Sequence, residues 1–392
     1  MSDVKNKTIK YQIIFGIISL VMAVRCCGKT LATSLTTALA FSYDYGFSDK
    51  SLMGTLFKII CSVFTNDVYT YRSAFIFSAV VMFVGFIVYV VMGVNLIGRV
   101  SEDKREVIFI LLLFFTIFAM SIYTGEDYIG SAESVMLTVM LINVACIIRG
   151  SNIVALILCP IVGMVLSSDY IFAYTGVVIV LLVYRLLQGQ ERNKYKAVLI
   201  VNIVSTLSLY VFFSLSHTAE YEDTIREHAR SLSDEEEVKE GLLDFYFYGQ
   251  AGGFDSLPDL YVCLLRVIVP IILLAPFIAF VVLLLKKVYK RNTDKRLRTL
   301  YKVMPFGCLL CAPLYFYSNN YGTWMFCMIA YTVISILGLI LMGEENIYKS
   351  LREMIDVIKL KYKWLVLLLI YAVLFTPIDS VKVCRFVNNF IP

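Results

Sequence analysis

Charge is what this chain has least of. Only 17% of its 392 residues are Asp, Glu, Lys or Arg, 59% are hydrophobic, and the mean hydropathy is +0.78. Soluble domains carry about a quarter charged residues and under half apolar ones, so a soluble enzyme, a disordered chain and a disulfide scaffold are excluded. Histidine is scarcer still. His217 and His228 share one polar segment, at a spacing that fits neither a metal site nor a catalytic triad. The ten cysteines do not fill that gap, because Cys61, Cys146, Cys159, Cys263, Cys308, Cys311 and Cys327 lie in apolar stretches. Cys308-x-x-Cys311 has metal-ligand spacing but no second pair or histidine nearby. No internal repeat is present, and a net charge of +5 is too small to argue for nucleic acid. What remains is a polytopic membrane protein.

A bilayer core takes about 20 apolar residues of helix. That rule predicts eleven spans, near 11–32, 73–97, 107–123, 132–148, 151–166, 171–187, 197–216, 260–284, 303–317, 324–341 and 364–379. The expectation is one all-α integral membrane domain over 1–392, with outer loops at 41–72 and 217–258. With the N-terminus inside, the cytoplasmic segments hold 24 of the 35 Lys and Arg residues, and the opposite face holds 8. That asymmetry predicts a multi-pass protein of the cell membrane with N-terminus in and C-terminus out. The basic stretch 286–302 reads as a topology determinant beside anionic lipid. The N-terminal lysines, apolar run and Ala38-Leu39-Ala40 look like a signal sequence, but Arg25 and Lys29 interrupt the run. The expectation is an uncleaved first span whose long helix projects beyond the membrane.

Acids are distributed the other way, twenty of thirty falling on the outer side. Asp44, Glu126, Asp127, Asp169, Asn319 and Asn320 come from separate short loops at outer helix ends, either converging on one site or simply solvated. Arg25 and Lys29 are four apart and would share a helix face. Arg72 begins the second span, and Arg266 lies about 10 Å inside the outer end of its own span. Cations at this depth need a partner, either a loop acid or a lipid-borne phosphate. In the first loop, Ser48 reads as an N-cap for an interfacial helix running to Phe64, which would hold Asp44 on the turn above. The large loop carries a capping box, Ser233-x-x-Glu236, and a joint at Ala251-Gly252-Gly253. It is a solvated acidic loop or a lid.

Asp44-Tyr45-Gly46-Phe47 and Gly54-Thr55-Leu56 resemble the first outer loop of a group of bacterial multi-spanning envelope proteins built like the C-type (GT-C) glycosyltransferases. Lys50 and Ser51 stand where that pattern has Arg and Gly. Gly130-Ser131-Ala132-Glu133 keeps a glycine and an acid, Ser168-Asp169 replaces a His-acid pair, and Asn320-Tyr321-Gly322-Thr323-Trp324 replaces an Asp-Tyr-Gly-Arg-Trp stretch. The resemblance implies a GT-C-like bundle, a polyprenyl-phosphate-linked sugar donor and a glycan or lipid acceptor, reacting at the outer face. Asp44 would be the general base, and Arg25, Lys29, Arg72 and Arg266 would stabilise the leaving phosphate. Asp49, Lys50, Glu126, Asp127, Glu133, Asp169, Asn320, Tyr321 and Trp324 would line the substrate site. Some members use a divalent metal, for which Asp44, Glu126 and Asp127 are the candidate set. The missing motif charges leave room for a non-catalytic or transport component for lipid-linked glycans. A polysaccharide polymerase or ligase would need outer-loop arginines, and the large loop has only Arg226 and Arg230 amid the twelve acids of 220–259.

Overall fold

Backbone inside lipid must bond to itself, so each apolar run folds as a helix. The computed structural model describes residues 2–31, 33–48, 51–64, 69–124, 128–189, 191–215, 219–232, 243, 268, 271–272, 275–314 and 321–360. The helices are α1 (Ser2–Cys26), α2 (Thr33–Ala40), α3 (Ser51–Phe64), α4 (Tyr71–Arg99), α5 (Glu102–Thr124), α6 (Ala132–Arg149), α7 (Ile153–Leu166), α8 (Asp169–Gln188), α9 (Arg192–Leu215), α10 (Glu222–Ser231), α11 (Ala275–Arg291), α12 (Lys295–Val303), α13 (Tyr321–Leu341) and α14 (Glu345–Leu360). Two short strands, β1 (Thr30–Leu31) and β2 (Tyr128–Ile129), pair in parallel. Among the described residues, six helical segments are long and apolar enough to cross a membrane: Asn6–Arg25, Tyr71–Arg99, Ala132–Arg149, Asp169–Gln188, Arg192–Phe213 and Trp324–Leu341. The protein is a multi-span, largely α-helical membrane protein.

α8 and α13 form the centre of the bundle, where Val177, Leu181, Ile334 and Leu339 are buried. At the periphery, α1 exposes Ile13, Ile17, Leu20 and Val24, and α4 exposes Val80, Phe83 and Val91. Burying one such side chain is worth about 1.5–3 kcal/mol, so a surface of this kind is suited to lipid rather than water. α3 has two apolar faces. Met53, Gly54, Phe57 and Cys61 turn inward, while Leu56, Ile59, Ile60, Val63 and Phe64 are exposed.

The connections place helix ends alternately at two ends of the bundle. One end is stitched together by basic side chains bonded to carbonyls at the ends of neighbouring helices. Arg185 reaches the carbonyls of Ile147 and Ile148, Lys194 donates to the Gly150 carbonyl at 3.2 Å, and Arg352 to the Asp103 carbonyl at 2.9 Å. Gln188 closes the same end on the Met342 carbonyl at 2.8 Å. The other end carries the β1–β2 pair and the first loop.

Two expectations change. Arg25 and Lys29 do not share a helix face, because α1 stops at Cys26 and Lys29 lies in the bend leading to β1. Pairing of Thr30 and Leu31 with Tyr128 and Ile129 draws the chain out of the helix there. The interfacial helix is described over Ser51–Phe64, and Ser48 stands one turn ahead of it, its amide donating to the Ser51 hydroxyl at 3.1 Å and its carbonyl accepting from the Ser51 amide at 3.2 Å. The span expected over 303–317 opens instead as a 3₁₀ segment, Met304–Cys311. Pro305 removes a backbone donor there. Gly307 lies so close to Tyr331 that a Cβ would stand 2.1 Å from its hydroxyl. The span 364–379, much of 260–284, Asn319, the box at Ser233 and Glu236, and the joint at 251–253 lie outside the described residues.

Candidate functional site

The first loop is built from serine, threonine and glycine contacts that orient Asp44. After α2 the chain makes a 3₁₀ turn, Tyr43–Tyr45, capped by Ser42 and closed at Gly46, whose φ of 96° suits glycine. The Ser42 hydroxyl accepts from the Asp44 amide at 3.3 Å and donates to the Asp44 carboxylate at 2.9 Å. α3 packs against this turn at Gly54, where a Cβ would stand 1.5 Å from the Phe41 carbonyl oxygen. The neighbouring Thr55 hydroxyl accepts from the Tyr43 amide at 2.9 Å and donates to the Ser51 carbonyl at 2.7 Å. Ser51 donates to the Gly46 carbonyl at 3.1 Å. The two halves of the sequence motif, 44–47 and 54–56, therefore form one structural unit.

One turn beyond Gly54, Lys58 brings its ammonium to the Asp44 carboxylate at 2.5 Å. This hydrogen bond, with the one from Ser42, holds the Asp44 carboxyl below the usual carboxylate range, and Asp44 holds the Lys58 ammonium above its usual value. The side chains are 51% and 45% exposed, so the pair belongs with surface ion pairs, worth about 0–1 kcal/mol after screening. Aromatic rings surround it. Tyr43 stacks on Phe47 at 4.8 Å, Phe47 meets Phe212 of α9 at 5.3 Å, and Tyr45 tilts against Tyr221 at 5.8 Å.

α10 lies over this loop. Its Ile225 and Ala229 are fully buried against Ala40, Phe41 and Tyr45, and the His228 ring meets Tyr69 edge-on at 5.0 Å. Burial pushes the His228 imidazole below its ordinary pKa. An undocked histidine titrates near 6.5, so below that pH the undocked state binds the extra proton. Docking of α10 should be complete above about pH 6.5 and weaken as pH falls further. Hydrogen exchange across 222–231 at pH 7.5 and pH 5 checks this, with His228→Phe expected to remove the difference. Equal protection of wild type at both pH values would refute it.

A second group of expected residues stands at the starts of three helices that pack on one another. Glu133, Asp169 and Trp324 lie in the first turns of α6, α8 and α13. Glu133 is within electrostatic reach of Tyr174 and Cys327, and Asp169 of Cys327. Ser167 bonds the Asp169 amide at 3.3 Å, repeating the Ser42–Asp44 device. Trp324 Nε1, the Tyr170 and Tyr174 hydroxyls and both polar atoms of the Asn143 amide are buried without a hydrogen-bond partner among the described residues. Tyr170 faces Asn143 short of hydrogen-bond geometry. Each unmade bond of this kind costs about 1–3 kcal/mol, so the core around Tyr170, Tyr174 and Trp324 carries a polar cost.

Arg25, Lys29 and Arg72 stay exposed at the adjoining ends of α1, β1 and α4, tied together where the Leu31 amide donates to the Tyr71 hydroxyl at 3.4 Å. The cation that meets Asp44 is Lys58. Lys58 stands out in the sequence as the one charged residue of α3, but its pairing with Asp44 does not follow from that. Asp49, Lys50, Glu126, Asp127, Arg266 and Asn320 lie outside the described residues, as does the Tyr321 side chain. Among the described residues no group of three or more His, Cys, Asp or Glu comes together to hold a metal. Comparisons with protein-family models, curated proteins and solved structures find no match to this chain.

Proposed function

We propose that this protein is a membrane glycosyltransferase with a GT-C-like bundle. It moves a sugar from a polyprenyl-phosphate carrier to a cell-envelope glycan or lipid at the outer face. The observation that carries this is the Asp44–Lys58 pair, an acid on the Tyr43–Tyr45 turn held against a cation on α3, a helix whose far side is exposed and apolar. An apolar helix lying along the bilayer surface would hold that pair at headgroup depth, where a lipid phosphate and an acceptor hydroxyl meet. In the reaction the acceptor oxygen bonds to the sugar's anomeric carbon as the bond to phosphate breaks. The hydroxyl proton passes to Asp44, and the polyprenyl phosphate leaves with its charge met by Lys58. Lys58 would move from carboxylate to phosphate, which restores basicity to Asp44 when it is needed. Glu133, Asp169 and Trp324 would orient the sugar. The end rich in Lys and Arg would be cytoplasmic.

A second reading is a non-catalytic partner that binds lipid-linked glycans, favoured by the way Lys58 and Ser42 already satisfy the Asp44 carboxylate. The purified chain in nanodiscs separates the two. With polyprenyl-phosphate sugars and an envelope acceptor, the enzyme releases polyprenyl phosphate in step with glycosylated product. Saturable donor binding with no release from any donor supports the second reading. On intact cells, an impermeant thiol reagent should label Cys27, an exposed free cysteine. Labelling only from the cytoplasmic side would invert the proposed orientation.

A further inference from the structure

At the basic end, α11 and α14 enclose a groove of about 640 Å³. Its floor is apolar, formed by Ala279, Phe280 and Leu283 of α11 with Met354 and Val357 of α14. Leu283 and Val357 are more than half exposed. Along α11 this floor gives way within one turn to Lys286 and Lys290, which are four apart and both exposed. Residues at that spacing share a helix face. The acid lining the groove, Glu353, is already ion-paired with Lys287 and Arg291. The groove therefore offers two ammonium groups that it does not neutralise itself, at one end of an open apolar channel.

We propose that this groove binds an anionic phospholipid from the leaflet at the basic end, with an acyl chain along Leu283 and Val357 and the phosphate on Lys286 and Lys290. Charge decides for this occupant. A second copy of the chain docking through the same face would bring two basic segments together, each with eight Lys and Arg residues over 285–302. An anionic headgroup is attracted by the same charges. α14 suits the setting, since Ile347, Leu351 and Ile355 anchor one face to the bundle while Val357 faces the groove. The inference concerns the end opposite Asp44 and stands apart from the proposed transfer reaction.

The test uses the full chain reconstituted in phosphatidylcholine vesicles with or without phosphatidylglycerol, extracted in mild detergent, with retained lipid read by native mass spectrometry. Wild type should keep phosphatidylglycerol in preference to phosphatidylcholine. K286Q/K290Q should lower that retention roughly ten- to a hundredfold, the usual effect of losing charge-assisted contacts. K295Q/R296Q removes equal charge from the same end outside the groove and should retain the lipid. Leu283→Trp fills the floor with both lysines intact and should release it. The proposal fails if K286Q/K290Q retains lipid like wild type, if both double variants lose it equally, or if phosphatidylcholine is held as well as phosphatidylglycerol. Cross-linking of two copies through cysteines placed at 283 and 357 would assign the groove to a dimer instead.

Discussion

Asp44→Asn should lower sugar transfer by roughly 10²–10⁴-fold, the usual cost of losing a general base, while leaving donor binding and thermal stability close to wild type. Asparagine keeps the size of the side chain and an oxygen that can accept from Lys58 and Ser42, so the turn has no reason to open. What it loses is the ability to take the acceptor's proton. Stability should change little, because the Asp44–Lys58 pair is half exposed and contributes about 0–1 kcal/mol. The measurement is turnover, donor affinity and melting temperature on one preparation. Full transfer by the variant would remove Asp44 from the mechanism. A collapse of melting temperature with no wild-type turnover would make the ion pair structural and favour the non-catalytic partner.

Spans were legible because hydropathy over about 20 residues reports directly on lipid. The expected helices at 132–148, 171–187 and 324–341 match α6, α8 and α13 closely. What hydropathy does not encode is an event decided by a distant segment. The run through Arg25 and Lys29 stays apolar enough to read as continuous helix, yet α1 ends at Cys26 where residues a hundred positions away supply a strand partner. Local punctuation was present at Pro305 and Gly307, and it outweighed an apolar run there.

The site shows the same division. Ser42, Asp44, Gly46 and Thr55 fall within one stretch of fourteen residues, so their pattern survives in the sequence as a motif. Lys58 acts at a spacing set by how α3 folds back beneath the turn, and no local pattern predicts that pairing. The relative placement of Glu133, Asp169 and Trp324 depends on how α6, α8 and α13 pack. Only their shared position at helix starts hinted at it.

Gly54→Ala should detach the first loop from α3 and so disable the site without touching a charge. In an exposed helix this change gains up to about 1 kcal/mol, because alanine is the better helix former. Here the new methyl would meet backbone, with the Phe41 carbonyl oxygen at 1.5 Å, its carbon at 2.5 Å and the Leu39 carbonyl oxygen at 2.9 Å. Backbone cannot rotate aside as a side chain can. Overpacking of this kind costs about 1–3 kcal/mol or more, which outweighs the propensity gain. Relief comes from moving α3 away, and that breaks the Thr55–Tyr43 bond and shifts Asp44 relative to Lys58. The melting temperature should fall, transfer should drop with it, and Cys61, on the buried face of α3, should become reactive to thiol reagents. Gly16→Ala is the matched control, since a Cβ there meets nothing within 4 Å, and it should leave all three readouts unchanged. If Gly54→Ala behaves like Gly16→Ala, then α3 does not press on the Phe41 carbonyl, and the support for the orientation of Asp44 goes with it.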